Sequence, residues 1–516
     1  MTASAAPSQA APPRDPYLPP LCRLGDLIAP LAPQDMASTG LEGTTLTDLV
    51  LRLGYTVSRF TTDWVAQQLH LAPALSREVL EKLAYDGLVE QLWQTTQASA
   101  HYKITEQGRD HAARLMEVCG YIGPAPVGLE QYAAMLRWQF ANSPPVQPEH
   151  VAASLGGLVL SPKAAQLAGL AVSSGRSLFI YGPSGNGKSS LGRALHAALQ
   201  GDYWMPYTIS VGDSVIRLFD AHIHHPVEVP GNRPDAIDQR WVRVRRPIVI
   251  VGGELTLDLL DLIYIPSLRV YEAPPHLKAN GGVFLVDDFG RERISPEQLL
   301  NRFITPMEHQ IDYFTLRTGQ KVQVPLRHVL IIATNLSPET VTDPAFLRRM
   351  GYRVYLGSPT PEQYTRIFQQ YAQRHGVAVS PEVIDKLLER YKAQNRELRA
   401  CEPRDLIERA RDICRFHNRP LELTPKVLDL AWNGYREATR RRFEVMSERI
   451  EQTLKPGEAG LLLIREEHSI QFPKDVQVFY IAPPALDEIH RWLREREQRE
   501  RQQATNSEAG QQATTG

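Results

Sequence analysis

The alternation of apolar and polar positions changes character three times along the chain. Between residues 151 and 358, short apolar runs alternate with segments of helical periodicity, which is the pattern of a parallel sheet covered by helices. Five runs are predicted to be strands: SLFIY, PYTISV, VFLVDD, VLIIATN and YRVYLG. From 359 to 446 the pattern is wholly helical, and each helical segment begins at or just before a proline. We therefore predict an α/β fold with a parallel five-stranded sheet, followed by a helical lid.

A smaller domain is predicted before the sheet, over residues 41–120. Three short helices are expected at TLTDLVLRLG, TTDWVAQQL and SREVLEKLAYDG, and two strands at LVEQLWQ and SAHYKIT. The second strand leads into a further helix, for which Thr105 is a suitable N-cap. This order of elements is typical of a winged-helix domain.

The remaining segments have compositions that predict little folded structure. Residues 1–40 are rich in Ala and Pro and are expected to form a flexible extension. Residues 121–150 contain IGPAPVG and NSPPVQPEH and are interpreted as a Pro-rich linker. Residues 447–498 have a mixed pattern to which no fold is assigned, and residues 499–516 are expected to be a disordered tail.

Composition and charge narrow the possible classes of function. The 57 Lys and Arg residues are balanced by 58 Asp and Glu residues, so no overall basic field favours nucleic acid and any charged surface must be local. The four cysteines are widely separated and show no metal-ligand spacing, which favours reduced thiols. The most apolar stretch, PIVIVGGELTLDLLDLIYI, carries three acidic residues, so no membrane span is predicted. We expect a cytoplasmic protein.

A phosphate-binding motif follows the first predicted strand of the sheet. The segment from Gly182 to Ser189, GPSGNGKS, satisfies the pattern GxxxxGK[ST] and lies between a strand and a helix. Glycines in such a loop let successive backbone N–H groups face one concavity, where they bind phosphate oxygens at a helix amino terminus. Lys188 is expected to reach the β- and γ-phosphates of ATP, and the Ser189 hydroxyl to bind Mg²⁺. The candidate ATP-binding residues are Gly182, Pro183, Ser184, Gly185, Asn186, Gly187, Lys188, Ser189 and Ser190.

A second motif supplies the carboxylates that such a site needs. The run VFLV ends in Asp287 and Asp288, about a hundred residues after the glycine-rich loop, as in a Walker B strand. A buried strand would deliver Asp287 to the metal ion and Asp288 to the attacking water. Asp287 and Ser189 are therefore the candidate metal ligands.

The order and spacing of these motifs resemble those of AAA+ ATPases over residues 151–440. In this resemblance Asn335, at the end of ATN, corresponds to the sensor 1 residue that orients water. Arg348 and Arg349, in DPAFLRRM, resemble arginine fingers that reach the nucleotide of the adjacent subunit, and Arg404 resembles the sensor 2 arginine. The resemblance implies hydrolysis of ATP with Mg²⁺ in a homo-oligomeric ring, which could be a hexamer.

Two further features point to one branch of that family. The segment ANGG at 279–282 and the hairpin-like DYFTLRTGQKVQVP resemble the presensor-1 hairpin branch, which includes MoxR-type ATPases, and residues 212–280 fit an enlarged insert. One position departs from the family pattern, because Asp288 stands where a glutamate is usual. Its carboxylate is one methylene shorter, so hydrolysis could be slow, or Glu292 could assist.

Two hypotheses for function remain open at this stage. The first is a machine that remodels a protein partner, in the manner of MoxR-type chaperones. The alternative is an ATP-gated regulator or a DNA-binding module that uses the winged helix. DNA binding is not favoured, because the helix SREVLEKLAYDG carries Arg77 and Lys82 against three acidic residues and so has a net negative charge.

Overall fold

The computed structural model describes residues 15–92, 100–229, 236–290, 295–338 and 344–432. The chain divides into two compact units, Met1–Asp405 and Leu406–Gly516, and each is described by itself. The predicted segments 447–498 and 499–516 lie outside the described residues, as does Glu292. Within the described ranges, no helix combines the length and the apolar character needed to cross a lipid bilayer.

The amino-terminal part of the larger unit contains the helices and strands predicted for residues 41–120. Its elements are β1 (Leu21–Leu24), β2 (Leu27–Pro30), α1 (Gly43–Tyr55), β3 (Phe60–Thr61), α2 (Thr62–Leu69), α3 (Pro73–Tyr85), β4 (Val89–Leu92), β5 (His101–Ile104) and α4 (Glu106–Val118). The strands β3, β5 and β4 form an antiparallel sheet in that order. The Thr105 hydroxyl accepts a hydrogen bond from the Gly108 amide at 2.9 Å, so this residue caps α4 as predicted.

Two segments that were expected to lack structure are folded, so those expectations were wrong. Within residues 1–40, β1 and β2 form an antiparallel hairpin, and Ala29 is completely buried. Residues 121–150 contain the strand β6 (Val127–Gly128) and the helix α5 (Leu129–Asn142). Proline suggested a linker there, but apolar residues of α5 such as Met135 are buried in a large core cluster.

The central element is a five-stranded sheet in which all neighbours are parallel, as predicted. Its five strands are β7 (Leu178–Tyr181), β12 (Ile248–Val251), β15 (Val283–Phe289), β18 (Val329–Thr334) and β19 (Tyr352–Tyr355). The helices α6 (Pro148–Leu155) and α7 (Pro162–Ser174) precede β7, and α8 (Lys188–Ala197) follows it. The strand order is β12-β15-β18-β7-β19. The predicted strand PYTISV is not part of it, and IVIV, within the segment interpreted as an insert, takes the fifth place.

Both faces of the three inner strands, β15, β18 and β7, are buried, which explains why these strands are apolar without alternation. Leu178 and Ile180 point to the face covered by α6, α7 and α8, whereas Phe179 belongs to the core on the opposite face. Every residue of β18 is buried. In these inner strands the polar residues lie at or near the carboxyl ends, where candidate site residues are found.

The rest of the larger unit forms a second sheet and two antiparallel pairs. The elements are β8 (Asp202–Pro206), β9 (Thr208–Val211), β10 (Ser214–Arg217), β11 (Trp241–Arg245), β13 (Ile263–Ile265), β14 (Val270–Glu272), α9 (Pro275–Lys278), α10 (Pro296–Arg302), α11 (Ile304–His309), β16 (Ile311–Thr315), β17 (Lys321–Pro325) and α12 (Pro344–Arg349). The mixed sheet has the order β13-β14-β10-β9-β6, and β11 pairs with β8. The segment PYTISV contributes β9 to this sheet. β16 and β17 pair antiparallel, which confirms the predicted hairpin before β18.

The predicted helical segment contains α13 (Pro361–Arg374), β20 (Ala378–Val379), α14 (Pro381–Ala393), α15 (Glu402–Phe416), β21 (Glu422–Leu423) and helical residues at 425–432. A capping box formed by Thr360 and Gln363 starts α13. Tyr364, Phe368 and Ala372 recur at helical spacing on its buried face. In the smaller unit, the described residues run from 406 to 432, so the predicted end of the lid at 446 lies outside them.

Candidate nucleotide-binding site

The glycine-rich loop lies between the carboxyl end of β7 and the amino terminus of α8. Gly182 has a φ of 139°, and a Cβ atom there would lie 2.2 Å from the Leu356 carbonyl oxygen, so only glycine fits. Gly185 and Gly187 also have positive φ values, 84° and 86°. Backbone of this kind turns successive amides toward one concavity in front of a helix, which is the geometry of a phosphate cradle.

The Lys188 side chain forms hydrogen bonds to the backbone of this loop and to Asn335. Its ammonium group donates hydrogen bonds to the carbonyl oxygens of Gly182 and Pro183, each at 2.9 Å, and to Asn335 Oδ1 at 2.7 Å. Lys188 is only 7% exposed. These contacts hold the ammonium group inside the loop, where the oxygens of a bound phosphate would come within its reach.

The two candidate metal ligands are in direct contact. Ser189 Oγ donates a hydrogen bond to Asp287 Oδ1 at 2.7 Å, which joins the start of α8 to the end of β15. A hydroxyl and a carboxylate oxygen at the amino terminus of a helix form a donor set that Mg²⁺ accepts, with water and phosphate oxygens completing an octahedron. The residues present therefore fit a magnesium ion bound together with phosphates.

A β-bulge sets the positions of the two aspartates. The register of β15 against β18 shifts between Val286 and Phe289, where Val286 pairs with Ile332 and Phe289 with Thr334. Asp288 has a φ of 55°, and its amide donates to Asp287 Oδ1 at 3.1 Å. A bulge interrupts the alternation of side chains, so the two adjacent acids need not point to opposite faces.

Asn335 connects the lysine and the second aspartate. Its Oδ1 accepts from Lys188, and its Nδ2 donates to Asp288 Oδ1 at 3.4 Å. Asp288 is exposed, whereas Asp287 is half-buried. The arrangement therefore leaves the Asp288 carboxylate accessible to water beside an amide that orients it.

A further carboxylate lies at the same edge of the sheet. Glu254 follows β12, the strand next to β15, and its Oε1 accepts from the Gly252 amide at 2.9 Å. A Cβ atom on Gly252 would lie 3.3 Å from Glu254 Oε2 and 3.5 Å from the Asp287 carbonyl oxygen. In the sequence, Glu254 stands out only as one of three acidic residues in an apolar stretch. The signal that could have identified it is the apolar run IVIV ending at GGE, which has the form of a second buried strand ending in an acid.

The segment before α15 packs against the glycine-rich loop. The Cys401 amide donates to the Gly185 carbonyl oxygen at 2.8 Å, and the Ala400 amide donates to Asn186 Oδ1 at 3.2 Å. Asn186 is buried, and its Nδ2 has no hydrogen-bond partner within the described residues. An unsatisfied buried donor in this loop is available for a phosphate oxygen. Burial raises the pKa of the Cys401 thiol, which keeps it uncharged beside the loop.

Arg404 lies one turn beyond this segment. Its guanidinium group donates to Asp405 Oδ1 at 3.0 Å, and the side chain is 56% exposed.

Glu402, at the start of α15, is buried, and its carboxylate accepts hydrogen bonds from Tyr391 and, at 2.9 Å, from Arg396. Glu402 thus anchors the start of α15, a role that sequence reasoning missed.

The structure does not bring Arg348 and Arg349 to the glycine-rich loop. They end α12, which precedes the amino end of β19, whereas the loop follows the carboxyl end of the parallel neighbour β7. A strand of four residues separates these edges by about 13 Å. Arg349 pairs with Glu308 at 2.5 Å, while Arg348 is exposed and forms no ion pair among the described residues.

Comparisons with known proteins give limited similarity. A family model described as a domain of unknown function (DUF8689) matches residues 360–434. No curated protein matches the sequence.

Among solved structures, the chain is similar to NtrX from Brucella abortus in complex with ADP, with 15% identity and a TM-score of 0.27 over 49% of this chain and 48% of that chain. The complex of NtrX with ATP gives 16% identity and a TM-score of 0.33 over 63% and 67% of the two chains. The Holliday junction branch migration motor RuvB of Thermotoga maritima gives 14% identity and a TM-score of 0.33 over 57% and 77%. The chain thus spans about half the length of the first NtrX structure.

Proposed function

We propose that this chain is an ATP-hydrolysing enzyme of the AAA+ type. The observation that carries the proposal is the cradle after β7, in which a buried lysine, a serine–aspartate pair and a positioned asparagine converge at one edge of a parallel sheet. Lys188 would bind the β- and γ-phosphates, and the loop amides with Asn186 Nδ2 would bind phosphate oxygens. Phosphate release from MgATP by the purified chain, absent in Lys188→Ala, tests this.

Ser189 and Asp287 would hold the Mg²⁺ ion, which neutralises charge on the phosphates when it is bound. Asp288 and Asn335 would orient the attacking water, since both are polar, lie in contact and stand beside the lysine. Glu254 is a second candidate for polarising that water, because Asp288 is one methylene shorter than glutamate. The positive φ of Asp288 supports a functional role, because strained backbone is concentrated at such sites.

The active site would be completed by a second copy of the chain. Arg348 cannot act on the nucleotide of its own subunit, because it lies at the opposite edge of the sheet. In a head-to-tail ring, however, that edge faces the loop of the neighbouring subunit. We assign the arginine finger to Arg348 rather than Arg349, since Arg349 is already paired with Glu308. Arg404 would give up its hydrogen bond to Asp405 and bind a phosphate of the nucleotide in its own subunit.

The hairpin of β16 and β17 supports placement in the presensor-1 branch, with MoxR-type ATPases. It lies directly before β18, and its base is anchored by Asp312, which is buried and paired with Arg302 at 2.5 Å and with His276 at 2.8 Å. A hairpin held this rigidly would transmit a displacement at the sheet to a surface of the molecule.

We further propose that the work done is remodelling of a protein partner. The region of α1 to α4, a winged helix in this interpretation, exposes on α3 the side chains of Arg77, Glu78, Glu81 and Lys82, and Tyr85 is 92% exposed. An exposed aromatic ring on a face without net positive charge suits a protein surface better than a phosphate backbone. The alternative, an ATP-gated DNA-binding regulator, would require affinity for DNA that falls steeply with salt.

A further inference from the structure

The amino edge of the parallel sheet, opposite the proposed ATP site, borders a cavity of about 840 Å³. Small-molecule sites have volumes of roughly 300–1,000 Å³. Arg176, Arg246 and Arg327 each lie two residues before a strand of the sheet, namely β7, β12 and β18. Parallel strands begin at the same edge, so these three arginines are brought together by the topology of the sheet.

Six arginines line the cavity: Arg137, Arg176, Arg246, Arg327, Arg348 and Arg349. No aspartate or glutamate of the described residues lines it. Two of the six have carboxylate partners elsewhere, because Arg137 pairs with Asp15 at 2.6 Å and Arg349 with Glu308 at 2.5 Å. The other four form no ion pair within the part of the chain that the structure describes. The cavity therefore has an excess of about four positive charges.

Two of the unpaired arginines are partly withdrawn from water. Arg246 donates to neutral acceptors only, among them the Gly281 carbonyl oxygen and Ser143 Oγ, each at 3.0 Å, and it lies over the Phe140 ring at 5.6 Å. Arg327 Nε is buried without a hydrogen-bond partner among the described residues. Burial lowers the pKa of both side chains, and the proximity of Arg137 lowers that of Arg327 further. A guanidinium group stays protonated even so, and a bound anion would neutralise its charge.

We propose that this cavity binds a small organic polyphosphate, a compact molecule that carries several phosphate groups. Guanidinium groups bind phosphate with two parallel hydrogen bonds, and one such molecule can contact Arg176, Arg246 and Arg327 together. Arg348 keeps its proposed role toward the nucleotide of the neighbouring subunit and is not needed for this site. A nucleic acid fits the arrangement less well, because the charges converge on one recess instead of following a stripe along the surface. The site lies across the sheet from the glycine-rich loop, so the inference does not depend on ATP hydrolysis.

Calorimetry with inositol hexakisphosphate as the probe tests the proposal, with tripolyphosphate and citrate as comparisons. The Lys188→Ala chain is used, so that the glycine-rich loop does not contribute. We expect saturable binding of the hexakisphosphate at one site, weaker binding of tripolyphosphate, and still weaker binding of citrate.

Arg327→Met and Arg176→Glu should each weaken binding about tenfold or more, because each removes a charge-assisted contact. Arg176 is exposed, so its replacement leaves folding intact even if Arg327→Met does not. The matched control is Arg114→Met, at an exposed site on α4, which should leave the affinity unchanged. Absence of binding, equal binding by all variants, or retention of a duplex oligonucleotide that the hexakisphosphate cannot displace would each overturn the proposal.

Discussion

The ammonium group of Lys188 and the side-chain oxygen of Asn335 are 2.7 Å apart, so the loop after β7 and the end of β18 meet in one hydrogen bond. The other side of the Asn335 amide contacts Asp288. Asn335 therefore lies between the group proposed to bind phosphate and the group proposed to orient water. This position allows binding and hydrolysis to be separated by mutation.

Asn335→Ala should leave ATP affinity within a few-fold of the wild-type value, because Lys188 keeps its two carbonyl partners. Turnover should fall by about 100-fold or more, since water loses an orienting group. Nucleotide binding by calorimetry and phosphate release in the same preparation provide the two readouts. A loss of affinity as large as the loss of turnover would contradict the assigned role.

Asp287→Asn preserves the shape of the side chain and removes its charge. Affinity for ATP measured in the presence of Mg²⁺ should fall by at least about 10-fold, as is typical when a group that holds a metal is changed. Affinity measured with a chelator present should not fall. If both affinities changed equally, Asp287 would be acting on the loop and not on the metal.

The carboxylate that polarises water can be identified by comparing Asp288→Asn with Glu254→Gln. We expect Asp288→Asn to abolish turnover while ATP remains bound, and Glu254→Gln to have a smaller effect. Asp288→Glu should retain or raise turnover, because the longer side chain reaches further toward the phosphate. Single-turnover measurements distinguish these outcomes from slow product release. The reverse order of effects would transfer the role to Glu254.

Arg348→Ala should lower turnover by about 10³-fold, as expected for an arginine finger, and should spare ATP binding. Arg349→Ala is the matched control and should have little effect, because Arg349 is paired with Glu308.

Mixing Arg348→Ala with Lys188→Ala chains tests whether the site is shared. Some interfaces in the mixed ring combine an intact loop with an intact Arg348, so part of the activity should return. No recovery, together with turnover per chain that is independent of protein concentration, would contradict a site built from two subunits.

Electrophoretic mobility with duplex DNA across a salt series tests the amino-terminal region. We expect no retention at physiological salt, because the exposed charges of α3 do not sum to a positive value. Retention that weakens steeply with salt and disappears in Arg77→Ala/Lys82→Ala would favour the DNA-binding alternative.

Short sequence motifs are sufficient to predict the glycine-rich loop, the strand before Asp287 and the hairpin before β18. The loop from Gly182 to Ser189 needs glycines and a lysine at fixed spacing, and the strand before Asp287 needs an unbroken apolar run, so both are visible in a short window of sequence. The hairpin before β18 was predicted for the same reason. All of these elements depend on neighbours within a few residues.

Elements that depend on distant partners were misjudged. The strand β12 pairs with β15, more than thirty residues later, so the apolar run IVIV predicts a buried strand but not the sheet to which it belongs. The prolines that flank the helix α5 predict a linker, although Tyr132 and Leu136 are buried by residues far along the chain. The position of Arg348 relative to the loop follows from strand order, which the motif alone does not contain.

Titration calorimetry of the purified chain with ATP and Mg²⁺ together tests the central claim most directly. The account predicts saturable binding of one nucleotide per chain, lost in Lys188→Ala while that variant keeps its thermal unfolding transition. Absence of binding heat in the wild-type chain, or equal binding by the folded variant, would contradict it.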